Sequence, residues 1–400
     1  MFGVVLSALV ALMHYYLWKR LVKDTTARGG WRRAGSVAFV LLALLVFATL
    51  TLGRSVAPGV AQWFTWPGYI WFAIVVYLFL STLVLELPRL ALRGWVRRRP
   101  LEATATTDAA PVTPAPPPAS REVNESRRLF LARSAGLVAG AASVSLVGVG
   151  MANALGPPDL LRVPVGLRRL DPALAGFRIA VVADIHLSSI LGRSHTERIV
   201  RMINAQSPDL VAIVGDLADG TVAELGPAAE PLQDLVSREG SFFVTGNHEY
   251  FTEPDAWVRE LERRGVHTLR NERTTITRGG GAFDLAGVTD VTGRSHDDAP
   301  DFGKALDGRS ADRPVVLMAH QPVQVSDAAS RGVDLQLSGH THGGQLYPFH
   351  HIVSLAQPSL AGLSKVDNTW LYVTRGAGFW GPPVRVGAPP DITMIELRPA

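Results

Sequence analysis

The chain reads as two structures in series, an all-α membrane region in residues 1–155 and a layered α/β domain in residues 156–400. Three observations predict this. Apolar stretches long enough to cross a bilayer are confined to the first part. In the second part short aliphatic runs alternate with longer stretches at helical spacing, the pattern of an α/β domain with a largely parallel core. Charge divides at the same boundary, +10 in residues 1–155 and −6 in residues 156–400, within a net +4 for the whole chain.

In chain order, the first elements are the apolar stretches Met1–Trp18, Ser36–Leu52 and Tyr69–Leu87, then a fourth, Ser134–Leu155, rich in Gly, Ala, Ser and Val. Any one of them suits a buried soluble helix. Three together, bounded by basic clusters and by Trp63, Trp66 and Tyr69, read as membrane spans with interfacial aromatics. The expected division is three transmembrane helices in 1–98, an Ala/Pro-rich cytoplasmic linker in 99–128, a fourth transmembrane segment in 129–155 and the α/β domain in 156–400. Thr104–Ser120, dominated by Ala, Thr and Pro, is the flexible or extended part of that linker. Lys19-Arg20 at the end of the first stretch argues against a cleavable signal.

Lys19–Arg33 holds six basic residues and one acidic, Arg89–Arg99 holds five and none, and Gly53–Gly68 has only Arg54. Basic loops stay in the cytoplasm. The N-terminus and the α/β domain are therefore expected outside. Ser126-Arg127-Arg128-Leu129-Phe130-Leu131, ahead of Ser134–Leu155, resembles a bacterial twin-arginine export signal in an internal position. The plainer reading is that Arg127 and Arg128 are inside-facing charges. Either way the expected location is a bacterial inner (cell) membrane, multi-pass, with the α/β domain extracytoplasmic.

Five aliphatic runs read as strands buried on both faces: Ile179–Ala183, Leu210–Val214, Phe242–Thr245, Val315–Ala319 and Leu335–Ser338. Thr196–Gln206 and Asp255–Arg264 read as helices between them. Each strand runs into a polar motif: Asp184-Ile-His186, Gly215-Asp216, Gly246-Asn247-His248-Glu249, His320-Gln321-Pro322 and Gly339-His340-Thr341-His342-Gly343-Gly344-Gln345. Ligands of parallel sheets collect beyond the carboxyl ends of the strands, where these motifs fall. Extended residues i and i+2 point the same way, so Asp184 and His186 can face one metal. His340 and His342 share that spacing, though a loop can aim them at different ions. Gly215, Gly246 and Gly339 precede ligands, where the backbone must turn sharply or approach closely.

Carboxylate, amide oxygen and imidazole, in a chain without cysteine, favour Mn, Fe or Zn over a soft-metal or iron–sulfur site. The donors are too many for one ion and enough for two at roughly 3.5–4 Å, the arrangement that activates water for in-line attack on phosphorus. A lone Asp-x-His or Gly-Asn-His is most often loop chemistry or capping. Five such motifs in order between residues 184 and 345 are hard to reach by coincidence.

This set resembles the calcineurin-like metallophosphoesterase superfamily, over roughly residues 175–398. Gly343-Gly344-Gln345 and Gly376-Ala377-Gly378-Phe379-Trp380-Gly381-Pro382-Pro383 are similar to its membrane-associated bacterial branch. The resemblance implies a metallophosphoesterase β-sandwich flanked by helices, two divalent metal ions and a metal-dependent phosphoric ester hydrolase. It implies that Asp184, His186, Asp216 and His342 hold the first ion, and Asp216, Asn247, His320 and His340 the second. His248 would contact the substrate phosphate and protonate the leaving oxygen. Glu249, where the family often has Asp, would orient His248 through a hydrogen bond.

The expected substrate is a phosphate ester cleaved at a phosphodiester or pyrophosphate bond, and membrane anchoring suggests a lipid or lipid precursor. The alternatives are an extracytoplasmic scavenging phosphodiesterase or nucleotidase, and a membrane sensor or transport module with a regulatory phosphoesterase domain. Nucleic acid is not an expected partner, because the basic charge follows membrane topology and the α/β domain is acidic. His14, His195, His267, His296, His350 and His351 match no motif and read as packing or surface residues, with pocket lining the second reading of His350-His351. Arg193 and His195 read as a solvated loop near the first motif. Phe379-Trp380 reads as a rigid loop that either walls the substrate or caps the sheet.

Overall fold

Leu210–Val214 shows why strands form where the aliphatic runs lie. All five side chains are buried. Leu210, Ala212 and Val214 enter one core, and Val211 and Ile213 enter another, as the two-residue period of a strand requires. Ile179 and Val181 divide from Ala180 and Val182 in the same way.

The computed structural model describes residues 2–53, 55–92 and 119–400. It separates into two units, Met1–Thr51 with Pro67–Gly148, and Leu52–Trp66 with Val149–Ala400. The second unit holds twelve strands: β1 (Asp159–Leu167), β2 (Phe177–Val182), β3 (Leu210–Val214), β4 (Ser241–Val244), β5 (Val266–Thr268), β6 (Glu272–Arg278), β7 (Gly281–Gly287), β8 (Val315–Met318), β9 (Leu335–Ser338), β10 (Gly362–Val366), β11 (Thr369–Val373) and β12 (Asp391–Pro399). They form two six-stranded sheets, in the orders β1-β12-β2-β3-β4-β5 and β10-β11-β9-β8-β7-β6. The central pairs β2·β3, β3·β4, β7·β8, β8·β9 and β9·β11 are parallel. Antiparallel pairing is confined to β2·β12, β6·β7 and β10·β11.

The sheets face each other across one apolar core, where Ile179, Leu210 and Phe242 meet Phe283, Val316, Leu335 and Tyr372. The outer face of the first sheet packs on Ile199, Val200 and Ile203 of helix Arg193–Asn204 and on Trp257 and Leu261 of helix Pro254–Arg263. Phe302, Leu306 and Ala328 cover the other sheet. The domain is the expected sandwich of mixed sheets flanked by helices. All five expected strands form, within about a residue of their sequence bounds at each end except that β2 begins two residues earlier.

In the first unit helices run Phe2–Trp18, Gly30–Leu52, Pro58–Ala91 and Ala119–Leu155, the last three having residues in the second unit as well. Among the described residues three helical segments, Gly30–Leu52, Pro58–Ala91 and Ser126–Leu155, are long and apolar enough to cross a membrane. Phe2–Trp18 has 17 residues and continues into a wider π turn, Lys19–Lys23, that carries three basic side chains. Of the expected linker, residues 99–118 lie outside the described residues, as do Arg93–Arg99 of the second basic loop. Residues 119–128 are helical and continuous with the expected fourth segment.

Among the described residues Asp24 and Glu86 of this unit are paired. Asp24 receives Arg20 at 3.1 Å and Arg89 at 3.3 Å, and Glu86 receives Arg20 at 2.8 Å and Tyr16 at 3.1 Å. His14 is a packing residue, with Nδ1 on the Val10 carbonyl and Nε2 accepting from the Trp71 indole.

Candidate metal centre

Each polar motif begins where a central strand ends, and the two sheets bring those ends together. Asp184 and His186 follow β2, Asp216 follows β3, Asn247 and His248 follow β4, His320 follows β8, and His340 and His342 follow β9. The loops lock to each other through the backbone: Asp184 N–H donates to Gly215 O, and His186 N–H to Asp216 O. Asp184, His186, Asp216, His340 and His342 all have φ between 49° and 72°. Non-glycine residues hold that left-handed region only under constraint, and such strain gathers at functional sites. Gly246 and Gly339 are needed for close approach. A Cβ there would stand 2.2 Å from an Asp216 oxygen and 2.4 Å from an Asp184 oxygen, respectively.

The side chains converge on Asp216. Its Oδ2 lies 3.1 Å from His320 Nε2, 3.8 Å from His186 Nε2 and 3.9 Å from His248 Nε2. Asp184 Oδ1 lies 3.5 Å from His342 Nε2 and 4.0 Å from His186 Nε2. Three overlapping groups have donor atoms close enough to share an ion: Asp184, His186 and His342; His186, Asp216 and His248; and Asp216, His320 and His340. These clusters suit a dinuclear metal site.

The outer nitrogens of two rings are already committed. His320 Nδ1–H donates to the Val214 carbonyl at 2.8 Å, and His186 Nδ1–H donates to Asp219 at 2.9 Å. Both turn Nε2 inward, that of His320 to Asp216 at 3.1 Å and that of His186 to His342 Nε2 at 3.1 Å, the orientation that prepares an imidazole for a metal. Arg385, fully buried, donates to the His342 carbonyl and faces His342 Nδ1 at 3.1 Å.

Whether these residues fit a cation can be read from what they lack. Asn247 Oδ1 is buried and has no hydrogen-bond partner, and buried His320 Nε2 faces only the Asp216 carboxylate. Burial pushes the Asp184 carboxyl up to about 6. Burial also opposes the charge of Asp216, yet His320, His248 and His186 hold its carboxyl well below the usual range. Burial, with His320 adding to it, takes His340 down to about 3, and burial with Arg385 holds His342 well below its ordinary value. Against the opposing effect of burial, Asp216 in turn holds His320 well above its ordinary value. Imidazoles, buried carboxylates and an orphaned amide oxygen in overlapping groups form a donor set for hard or borderline divalent ions.

Glu249 departs from expectation. Its carboxylate accepts the backbone N–H groups of Gly246 at 2.6 Å, Leu217 at 2.8 Å and Asp216 at 3.1 Å. It therefore holds the Asp216 loop in place, and Asp219 has the role expected of Glu249. Asp219 Oδ1 accepts from His248 Nδ1 at 2.5 Å as well as from His186. One carboxylate oxygen thus orients a candidate ligand and the candidate acid together. His248 lies with its ring 5.2 Å from Phe251 and 6.3 Å from Trp380.

The remaining candidates separate cleanly. Phe379 is buried with Ala154 and Leu191, while Trp380 is exposed with its ring 6.3 Å from that of His248. Gln345 clasps Trp380, with Nε2 donating to its carbonyl at 2.9 Å and Oε1 accepting its N–H at 3.1 Å. The two motifs of the membrane-associated branch are thereby one structure. The solvated loop expected for Arg193 and His195 is instead the start of helix Arg193–Asn204, where Arg193 pairs with Glu197 and Glu230 and His195 is buried, because its ring lies on the face turned to the domain. His267 stacks near Phe242, His296 near Tyr250, and His350 and His351 near Tyr347.

Comparison with known proteins gives consistent matches. A family model described as calcineurin-like phosphoesterase matches residues 177–344. The chain is 39% identical over 263 residues, 63% of its length, to a transmembrane protein with metallophosphoesterase domain from Danio rerio, and covers 60% of that protein. It is 35% identical over 259 residues to a metallophosphoesterase of Campylobacter jejuni, covering 64% of this chain and 67% of that one. A metallophosphoesterase of Aquifex aeolicus is 30% identical over 225 residues, covering 55% of this chain and 85% of its own. The chain spans less than two thirds of the length of the zebrafish relative.

Proposed function

The chain belongs to the calcineurin-like phosphoesterase family, and from that premise we propose a membrane-anchored, two-metal phosphoesterase that cleaves a phosphodiester or pyrophosphate bond. The observation that carries this reading is the gathering of Asp184, His186, His320, His340 and His342 with Asp216 in overlapping groups, with His248 beside them. Asp184, His186, Asp216 and His342 would hold one cation, and Asp216, Asn247, His320 and His340 the other. Two such ions, Mn, Fe or Zn, supply Lewis acidity and activated water for in-line displacement at phosphorus.

The chain's own residues do the rest. Asp219 accepts the Nδ1 proton of His248, which fixes the ring and presents Nε2 to a phosphate oxygen or to the leaving oxygen. Glu249 keeps the Asp216 loop rigid through backbone N–H groups, so the carboxylate does not have to reorganise during reaction. Exposed Phe251 and Trp380 give the substrate apolar surfaces beside His248.

The domains proposed are a membrane region in 1–98, a linker in 99–128, a further crossing in 129–155 and the catalytic domain in 156–400. An extracytoplasmic catalytic domain is supported by the grouping of Leu52–Trp66, the connection with a single basic residue, into the catalytic unit, where Thr65 Oγ1 lies 3.4 Å from Ser189 Oγ. The basic turn Lys19–Arg33 belongs to the other unit. The bacterial inner membrane and the twin-arginine role of Arg127-Arg128 follow the same orientation; blocked export in an Arg127→Lys, Arg128→Lys chain is the expected result. A phospholipid or lipid-linked precursor is the substrate class that anchoring favours.

The test is metal analysis of the purified full chain, with hydrolysis of an aryl phosphodiester and its monoester before and after chelation. Asp216→Ala should lose metal and lose turnover by at least about 10³-fold, the upper scale for removing a preorganised electrostatic group. A folded chain that holds no metal would overturn the reading.

A further inference from the structure

Ten large hydrophobic side chains are exposed between residues 156 and 400, and six of them either follow the last metal motif or flank His248. Tyr347, Phe349, Ile352 and Leu355 follow the last metal motif and are 39% to 87% exposed. The other two are Phe251 and Trp380, whose rings flank His248. Trp380 is fixed to the start of the Tyr347–Leu355 segment by the Gln345 clasp. A concentration of this kind is not scattered surface hydrophobicity, and marks a surface that something apolar covers.

We propose that this rim docks on a lipid surface, with Tyr347, Phe349, Ile352, Leu355 and Trp380 entering the headgroup boundary beside the metal centre. The proposal rests on the chain's being membrane-anchored, and does not depend on the catalytic reading.

Three observations choose lipid as the occupant. The first is the tether. Helix Ser126–Leu155 is long and apolar enough to span a membrane, and only Gly156, Pro157 and Pro158 separate its end from β1, a reach of roughly 10 Å. The second is continuity within one unit. Arg385 N–H donates to Gly150 O in the last turns of that helix at 2.8 Å, and Tyr347 N–H donates to Val386 O at 3.0 Å. The rim therefore begins one residue pair away from the helix end. The third is charge. The domain carries −6 overall, yet no Asp or Glu occurs between residues 340 and 366, which contain Lys365 and four histidines. An anionic or zwitterionic headgroup layer meets no repelling carboxylate from this segment. Tyr and Trp, each with an apolar body and a polar tip, are the residues that settle at such a boundary.

The chain contains no cysteine, so Leu355→Cys provides a single thiol for an environment-sensitive fluorophore in the full chain. The labelled chain would be reconstituted in vesicles of phosphatidylcholine and phosphatidylglycerol, some with nitroxides on the acyl chains. A label at Val236→Cys, 66% exposed in the same domain outside the rim, is the reference. Docking predicts blue-shifted emission and nitroxide quenching at position 355 and neither at 236, with Ile352→Glu abolishing the quenching at 355. A Leu355 label that matches the Val236 label in vesicles would overturn the proposal. So would a blue shift without nitroxide quenching, which would identify a protein surface as the cover. Neither readout requires turnover, so failure here is distinguishable from failure of the phosphoesterase reading.

Discussion

Two clusters of charge, one in each unit, use similar residues and stand in opposite states of completion. In the helical unit Asp24 and Glu86 are each paired with arginine, and the half-buried knot closes on itself. In the catalytic unit Asp184 and Asp216 are buried among imidazoles, Asn247 Oδ1 has no partner, and five of the residues sit in strained backbone. Opposite charges that pair locally form structure with little left to offer a ligand. Donors that converge, buried and unpaired, cost stability unless something positive joins them. The difference separates a fastening from a site.

The sharpest way to break that comparison is at His248. His248→Ala should reduce kcat by about 10²- to 10⁴-fold, the range of a general acid, while elemental analysis still finds two metals per chain. Loss of metal with activity would make it a ligand instead. Asp219→Asn should have a smaller effect, about 10- to 100-fold on activity or metal affinity, because it acts through His186 and His248. Unchanged activity and affinity would leave Asp219 without an orienting role.

His195 tests burial without ligation. Burial takes its pKa down to about 4, against an ordinary 6.5. The folded state keeps this ring neutral while the unfolded state takes up a proton below about 6.5, so its contribution to stability is present above that pH and falls away towards pH 4. His195→Gln should remove up to roughly 3 kcal/mol of the stability lost between pH 6.5 and 4, measured by denaturant unfolding at both pH values. An identical pH dependence in the two proteins would refute the assignment.

Asp24→Asn should have the smallest effect, under about 1 kcal/mol in stability, with metal content and turnover unchanged, because the pairs it breaks are partly exposed. A loss of metal would show that the knot is not merely a fastening.

Much of this was legible before any coordinates. Leu210–Val214 and Leu335–Ser338 are strands at their sequence bounds, because buried parallel strands leave unbroken aliphatic runs. The edge elements were not. In β10 burial alternates between intermediate and exposed, and most of β1 is half-exposed, so their composition resembles that of loops. Asp219 escaped notice because its signal was only a carboxylate three residues after Asp216. The family resemblance assigns Glu249 to His248, but Asn247–Tyr250 is a helical turn. Neighbours on a helix point about 100° apart, which sends Glu249 to the backbone and His248 towards Asp216.

Residue type and order by themselves determined the donor chemistry, the strands that deliver it and the apolar segments long enough to cross a membrane, since each depends on local pattern. Tertiary structure decided which nitrogen of His186 and His320 turns inward, which carboxylate steadies His248, and that Gln345 holds Trp380 beside His248. Those outcomes depend on distances between segments as much as 156 residues apart, such as His186 and His342, and no local pattern encodes them.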